Sequence, residues 1–96
     1  MRQTYVVSYD ISDPKRLRRV FRLMRGYGDH LQLSVFRCDL NDRELIELRA
    51  RLAGLVNHDE DQVLFVDVGP ADGRGATSFA TLGRNFTHPE RFVVVV

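Results

Sequence analysis

The residue of this chain best suited to catalysis is Asp10, a carboxylate at the end of a predicted strand. The residues from Gln3 onward are rich in β-branched and aromatic types, which fit a pleated sheet. A helix is predicted to begin directly afterwards, with Asp13 as its N-cap and Pro14 in its first turn. An acid at such a junction is a candidate for catalysis, and it can equally be a solvated turn residue. This segment alone leaves both interpretations open.

A strongly basic helix is predicted over residues 14–25. Its apolar residues recur at helical spacing and give it one buried stripe. No acid occurs between Pro14 and Gly28, so the cations of the other face repel one another unless an anion lies against them. A solvated basic face is the simpler alternative. The absence of acids favours phosphate binding, and the candidate residues are Arg16, Arg18, Arg19 and Arg22.

Composition limits the class of protein. The chain has 96 residues, which indicates a single domain over 1–96, and its net charge of +1 excludes a chain that is basic throughout. The only cysteine, Cys38, excludes an internal disulfide and a cysteine-based zinc site. No apolar run approaches the roughly 20 residues of a membrane helix. With no signal-peptide core at the start, we expect a cytoplasmic protein without a membrane partner.

The middle of the chain predicts a strand, a helix and a second strand. Residues 30–38 alternate in polarity, as strands do. Asn41 then begins a helix, with Glu44 as the partner of a capping box. The polar turn 57–61 contains three acids and is expected to be solvated, because a calcium loop needs more ligands at spaced positions. An apolar strand is predicted over 62–68.

The last third of the chain is harder to assign. Residues 69–78 are rich in glycine and lack the lysine ending of a phosphate loop, so they are expected to form a flexible loop. A short strand is predicted over 79–83, and a strongly apolar strand ends the chain at about 91–96. Gly26 and Gly28 are expected to end the first helix in conformations that allow a positive φ.

These elements favour an α+β fold. If residues 30–38 divide into two short strands with a kink near Ser34, the order is that of a ferredoxin-like αβ sandwich with an additional C-terminal strand. Both helices can then cover one face of the sheet, while the other face also carries apolar residues. A second copy of the chain is the simplest cover, so we expect a homodimer in which the terminal strand pairs with the partner subunit.

Two motifs resemble a known family. Tyr9-Asp10-Ile11-Ser12-Asp13 precedes the basic helix, and Gln32-Leu-Ser-Val-Phe36 follows Gly28. Together they resemble the small CRISPR-associated endonuclease family, whose members are the smaller subunit of the spacer-acquisition integrase. The chain departs from the family pattern in two places. His30 stands where the family often has arginine, and Leu17 stands where it has an arginine early in the helix.

The resemblance implies both a fold and a site. It implies a ferredoxin-like dimer in which Asp10 of each subunit lies near the two-fold axis and shares a divalent cation, Mg²⁺ or another such as Mn²⁺. It also implies supporting roles for Tyr9, Arg19 and Phe36, although Phe36 is also suited to packing at the dimer seam. The larger integrase subunit is the implied protein partner.

Three functions are therefore compared. The first is metal-dependent hydrolysis of RNA or DNA, with Asp10 as the catalytic metal ligand and the helix arginines holding the backbone. The second is a non-catalytic dimeric scaffold that holds DNA for the integrase and needs no metal. The third, a metabolite-binding regulatory domain, is disfavoured by the charge of the first helix.

Overall fold

A computed structural model describes residues 1–84. The elements follow one another as β1 (Gln3–Asp10), α1 (Pro14–Arg25), β2 (Asp29–Gln32), β3 (Val35–Leu40), α2 (Asp42–Leu55), β4 (Gln62–Pro70) and α3 (Arg74–Thr77). The predicted strand over 30–38 is thus two strands, separated by a turn at Leu33 and Ser34. Leu33 has a φ of +37°, which is unusual for a residue with a side chain.

The four strands form one antiparallel sheet in the order β2-β3-β1-β4. Together with the order of the elements, this is the ferredoxin-like arrangement. β1 lies in the centre of the sheet between β3 and β4, so Asp10 lies at the end of an inner strand. In the register of β1 and β4, Asp10 is opposite Gln62.

Both long helices begin as their sequences predict. The Asp13 carboxylate accepts a hydrogen bond from the Arg16 amide, and Pro14 occupies the first turn of α1. At α2, Asn41 and Glu44 each accept a hydrogen bond from the other's backbone amide, which completes the predicted capping box. These caps fix where each helix leaves the sheet.

The hydrophobic core lies between the helices and one face of the sheet. The strands contribute Val7, Tyr9, Phe36 and Cys38, and α1 and α2 contribute residues from their apolar stripes, Val20, Met24, Leu48 and Leu52. The side chains of Phe36, Met24 and Leu48 are fully buried. Burial of this face anchors β1 and α1 on either side of the segment that follows Asp10.

The end of α1 differs from the prediction. Gly26 has a φ of −79°, so the helix ends without a left-handed residue. The glycine with a steric role is Gly28, because a Cβ there would lie 2.3 Å from the Arg37 carbonyl oxygen. Close approach of two backbone segments, and not a positive φ, is the reason for a glycine here.

The predictions for residues 69–83 are wrong in two respects. The expected flexible loop contains the end of β4 and the helix α3, whose Gly75 lies so close to Thr4 that a Cβ would be 2.0 Å from its Oγ1. No strand is present over 79–83 within the described residues. Instead, the Phe79 ring lies 5.6 Å from the Arg37 guanidinium. The predicted terminal strand at 91–96 lies outside the described residues.

The sheet face opposite the long helices is only partly covered. Register places Val6 and Val66 opposite each other on this face, and Leu64 is opposite Ser8. Leu64 is 54% exposed and Val66 is 45% exposed. Residues 79–84 lie beside Val6 and Val35, so the β4 side of this face stays open within the described chain.

Candidate functional site

Asp10 ends β1 with its side chain exposed to solvent. Within residues 1–84, its carboxylate forms no hydrogen bond or ion pair. The neighbouring acids behave differently, because Asp13 caps α1 and Asp61 binds Arg16. Asp10 is therefore a carboxylate at this end of the sheet that is available to an external ligand.

Tyr9 and Phe36 support this strand end from inside the core. Tyr9 is 5% exposed and Phe36 is fully buried, and their rings stack with centroids 6.2 Å apart. Burial raises the pKa of the Tyr9 phenol, and a hydrogen bond with Ser34 acts in the opposite direction. Phe36 also contacts the rings of Phe21 and His30. Two of the three predicted supporting residues, Tyr9 and Phe36, are thus packing residues behind Asp10, whereas the third, Arg19, is exposed on α1.

The arginines of α1 differ in whether they form ion pairs with other parts of the chain. Arg18, Arg19 and Arg22 are exposed, and no ion pair involves them in the part of the chain that is described. Arg18 and Arg22 line a groove with Tyr9 and Leu17, and they lie near the turn that carries Leu33. These guanidinium groups can accept phosphate oxygens.

Arg16 is also a predicted phosphate ligand, but unlike Arg18, Arg19 and Arg22 it forms ion pairs within the chain. Its Nε lies 2.8 Å from Asp61 Oδ2, and its terminal nitrogen lies 3.1 Å from Glu60 Oε1. The Arg16 side chain is 23% exposed. The anions that offset the charge of Arg16 therefore come from the turn before β4, 44 and 45 residues away in sequence.

The expectation that the turn 57–61 is solvated is wrong for Asp61, whose side chain has no exposed surface. The hydrogen bond from Arg16 is the main cause that lowers the pKa of Asp61, and amide hydrogen bonds from Asn57 and Ser12 act in the same direction. The signal in the sequence was an acid-free basic helix combined with an acidic turn directly before a strand that could pair with β1.

The remaining candidates for reactivity are not suited to it. Cys38 is buried, and its burial raises the pKa of the thiol to about 12, so it is protonated at neutral pH. Among residues 1–84, no three side chains of histidine, cysteine, aspartate or glutamate are grouped to hold a metal ion. Asp10 therefore belongs to no such group within these residues. None of the helices over these residues is long and apolar enough to cross a membrane.

The fold and the site together describe a ferredoxin-like protein with an exposed acid at the end of a central strand and a basic helix beside it. The family model described as "CRISPR associated protein Cas2" matches residues 3–73. The chain belongs to this family of CRISPR-associated proteins.

Relatives match over nearly the whole chain. A protein of Geobacter sulfurreducens named "CRISPR-associated endoribonuclease Cas2" is 42% identical over 96 residues, which cover 100% of both chains. A protein of Rhodospirillum rubrum named "CRISPR-associated endoribonuclease Cas2 1" is 42% identical over 92 residues, covering 96% of this chain and 89% of its own.

Solved structures agree with the fold. A hypothetical protein, TT1823, from Thermus thermophilus superposes with a TM-score of 0.69 at 34% identity, covering 73% of this chain and 96% of its own. Cas2 of Streptococcus pyogenes at pH 6.5 superposes with a TM-score of 0.62 at 32% identity, covering 66% of this chain and 82% of its own.

Proposed function

We propose that this chain is a metal-dependent endonuclease of the CRISPR system that hydrolyses RNA or DNA phosphodiesters in the cytoplasm. The observation that carries the proposal is the exposed Asp10 carboxylate, which has no partner within residues 1–84 and ends the central strand. Relatives named endoribonucleases make RNA the first substrate to test.

The residues at this strand end fit a divalent cation only when two subunits each contribute an Asp10 carboxylate. Magnesium is commonly held by one or two carboxylates, with water and substrate phosphate completing its shell. One Asp10 is a weak site, and two related by symmetry are a better one. When bound, Mg²⁺ or Mn²⁺ supplies Lewis acidity and an activated water.

The other residues of the site bind and orient the substrate. Asp10 holds its carboxylate toward solvent, and the packed rings of Tyr9 and Phe36 keep the strand end behind it rigid. Arg18, Arg19 and Arg22 provide charge for the phosphates that flank the cleaved bond. Substrate positioning by such contacts is a general source of rate enhancement.

The proposed assembly is a homodimer that binds the larger integrase subunit in the spacer-acquisition complex. The open β4 side of the sheet, with Leu64 and Val66, supports contact with a second copy. The dimer would also supply the second Asp10.

The test compares the native chain with Asp10→Asn, purified identically, on labelled single-stranded RNA and duplex DNA with and without Mg²⁺. We expect metal-dependent cleavage that falls at least about 100-fold in the variant, since a direct metal ligand is removed. Its thermal midpoint should stay unchanged, because the carboxylate has no internal partner in the described chain. Equal cleavage by both proteins, or none by either, would exclude this role of Asp10.

The second candidate is a non-catalytic dimeric scaffold that holds DNA for the integrase. The exposed α1 arginines without ion pairs in the described chain favour it, since phosphate contacts need no metal. We expect Arg19→Met to weaken duplex binding and to reduce its salt dependence, while Arg43→Met on α2 does neither. Binding that is independent of salt would contradict the arginine contacts in both functions.

A further inference from the structure

Asp61 joins three parts of the chain at the end of the sheet that carries Asp10. Its Oδ1 accepts hydrogen bonds from the Ser12 amide at 3.0 Å and from the Ser12 hydroxyl at 3.2 Å. Its Oδ2 accepts from Arg16 Nε at 2.8 Å and from the Asn57 amide at 2.8 Å. One carboxylate thereby connects the loop after β1, the first turns of α1 and the turn before β4.

These contacts enclose the residues around Asp10. Ser12 lies two residues after Asp10, and Asp61 directly precedes Gln62, which is opposite Asp10 in the sheet. The backbone from Asp10 to Ser12 is therefore held at one end by the β1–β4 pairing and at the other by Asp61. Arg16 also donates a hydrogen bond to the Ser12 hydroxyl at 3.1 Å, which closes the network on the same loop.

The burial of this network separates it from an ordinary surface ion pair. The Asp61 side chain has no exposed surface, while Arg16 is 23% exposed. Exposed ion pairs hold their partners weakly. A carboxylate without exposed surface whose two oxygens accept several hydrogen bonds is held in one position, because each bond that breaks leaves an enclosed Asp61 oxygen with fewer partners.

We propose that Arg16 and Asp61 form a latch that positions Asp10 for metal binding, and that Arg16 is not a nucleic-acid contact. The inference rests on the proposed function, because it assigns the latch a role at the same carboxylate. Arg16 and Asp61 are positioning residues, since their contacts reach Asp10 only through the Ser12 loop. A displacement of about 1 Å at a reacting group can cost roughly 100-fold in rate, so a fixed loop matters to a site built from single carboxylates.

The structure offers a matched control at the other end of β1. Arg2 binds Glu44 through two hydrogen bonds of 3.1 Å and 3.0 Å, and it too connects β1 to a helix N-terminus. This pair is distant in the fold from Asp10, because Gln3 and Asp10 are opposite ends of the strand. Arg2→Met removes a more exposed ion pair, with side chains 53% and 35% exposed, from the same strand-to-helix arrangement without touching the proposed site.

The experiment compares native protein with four variants, Asp61→Asn, Arg16→Lys, Arg16→Met and Arg2→Met. In each protein it measures kcat and KM for RNA cleavage and the rate of amide exchange over residues 11–16. We expect kcat to fall at least about tenfold in Asp61→Asn and Arg16→Met and less in Arg16→Lys, which keeps the charge. KM should change less than about twofold, and amide exchange over 11–16 should accelerate. Arg2→Met should match native protein in all three quantities.

A second pair of measurements tests the claim about Arg16 directly. RNA affinity and its salt dependence should be unchanged in Arg16→Met and reduced in Arg19→Met. Loss of affinity in Arg16→Met with native kcat would overturn the latch and return Arg16 to the binding surface. Native kcat in a folded Asp61→Asn with faster amide exchange would also overturn it. If Asp61→Asn fails to fold, Arg16→Lys and Arg16→Met decide the outcome.

Cleavage by the native protein distinguishes a failure of the proposed function from a failure of the latch. If native protein does not cleave, the endonuclease proposal fails, and Mn²⁺ affinity measured by electron paramagnetic resonance decides the latch. Weaker Mn²⁺ binding in Arg16→Met than in Arg2→Met would support it. Equal binding in the two variants, or none in either, would overturn it.

Discussion

At the scale of single residues, Phe36 contributes to the proposed site through packing. Its ring is fully buried against Tyr9, Phe21 and His30, so substrate has no access to it. Any effect of Phe36 on cleavage must then pass through the stability of the strand end behind Asp10. The same holds for Tyr9, which is 5% exposed.

This leads to a prediction for Phe36→Ala. Truncation of a fully buried phenylalanine should lower the free energy of unfolding by about 3–5 kcal/mol, and Phe36→Leu should cost less. Cleavage per folded molecule should follow stability in both variants. Urea denaturation combined with cleavage assays checks this. A stable Phe36→Leu protein with no cleavage would instead indicate direct contact with substrate.

Local residue chemistry could be predicted from the sequence, and contacts distant in sequence could not. The caps at Asp13 and Asn41 form because their partners lie three residues away. The position of Asp10 between a strand and a helix was predicted for the same reason, since a strand end and a helix start are both local signals. The ion pair of Arg16 with Asp61 joins residues 45 apart, and no local pattern specifies which arginine of α1 it uses.

At the scale of elements, the turn between α1 and β2 approaches β3 closely at Gly28. Gly28→Ala would place a Cβ 2.3 Å from the Arg37 carbonyl oxygen and 2.5 Å from Cys38 Sγ. Since one neighbour is backbone, strands must separate, and we expect a loss of at least about 1–3 kcal/mol. Gly54→Ala is the control, because nothing lies within 4 Å of its Cβ and α2 should gain about 0.5–1 kcal/mol. Chemical denaturation of the two variants should give opposite signs.

The Arg16–Asp61 contact and the two helix caps also predict a pH dependence. Hydrogen bonds from Arg16 to Asp61, from the Asn41 amide to Glu44 and from the Arg16 amide to Asp13 lower the pKa of each carboxyl group. In the unfolded chain these pKa values return to roughly 4, so the unfolded state binds more protons in acid. The stabilisation is therefore present above about pH 4 to 5 and is lost as the pH falls further.

Thermal midpoints measured from pH 7 to pH 3 check this dependence. Native protein should hold its midpoint down to about pH 5 and then lose stability steeply. Asp61→Asn should be less stable at pH 7 and should lose less on acidification, because its side chain cannot take up the proton. Parallel curves for the two proteins would show that Asp61 is not a source of the acid sensitivity.

The elements were predicted well where hydrophobic periodicity was strong. β1, α1 and α2 follow from alternation and helical spacing. The predicted break of residues 30–38 near Ser34 matches the two observed strands β2 and β3. The run 79–83 has strand-like composition, but Phe79 packs against Arg37 instead. Composition alone gives no information about an available sheet edge, and α3 was missed because its contact with Thr4 is made across the sheet.

At the scale of the whole molecule, the two faces of the sheet differ in their cover. The helices bury one face, whereas the β4 side of the other face exposes Leu64 and Val66 in the described chain. Exposed apolar side chains that share one sheet face are typical of a surface that contacts a partner. A second copy on this face would bring two strand ends, and with them two Asp10 carboxylates, into one assembly.

The proposed dimer predicts how Leu64→Glu should behave. A carboxylate placed in an apolar contact loses solvation without gaining a partner, so the dimer dissociation constant should rise at least about tenfold. Ile46→Glu is the matched control, because Ile46 on α2 is 69% exposed on the helix side and its substitution should leave the dimer unchanged.

Light scattering over a range of micromolar concentrations gives the mass of each protein. Cleavage should fall with dimer content in Leu64→Glu, since half of the metal ligands would be lost to each site. A native mass of one chain would exclude the dimer and the shared cation together, whereas a dimer unaffected by Leu64→Glu would place the contact elsewhere on the molecule.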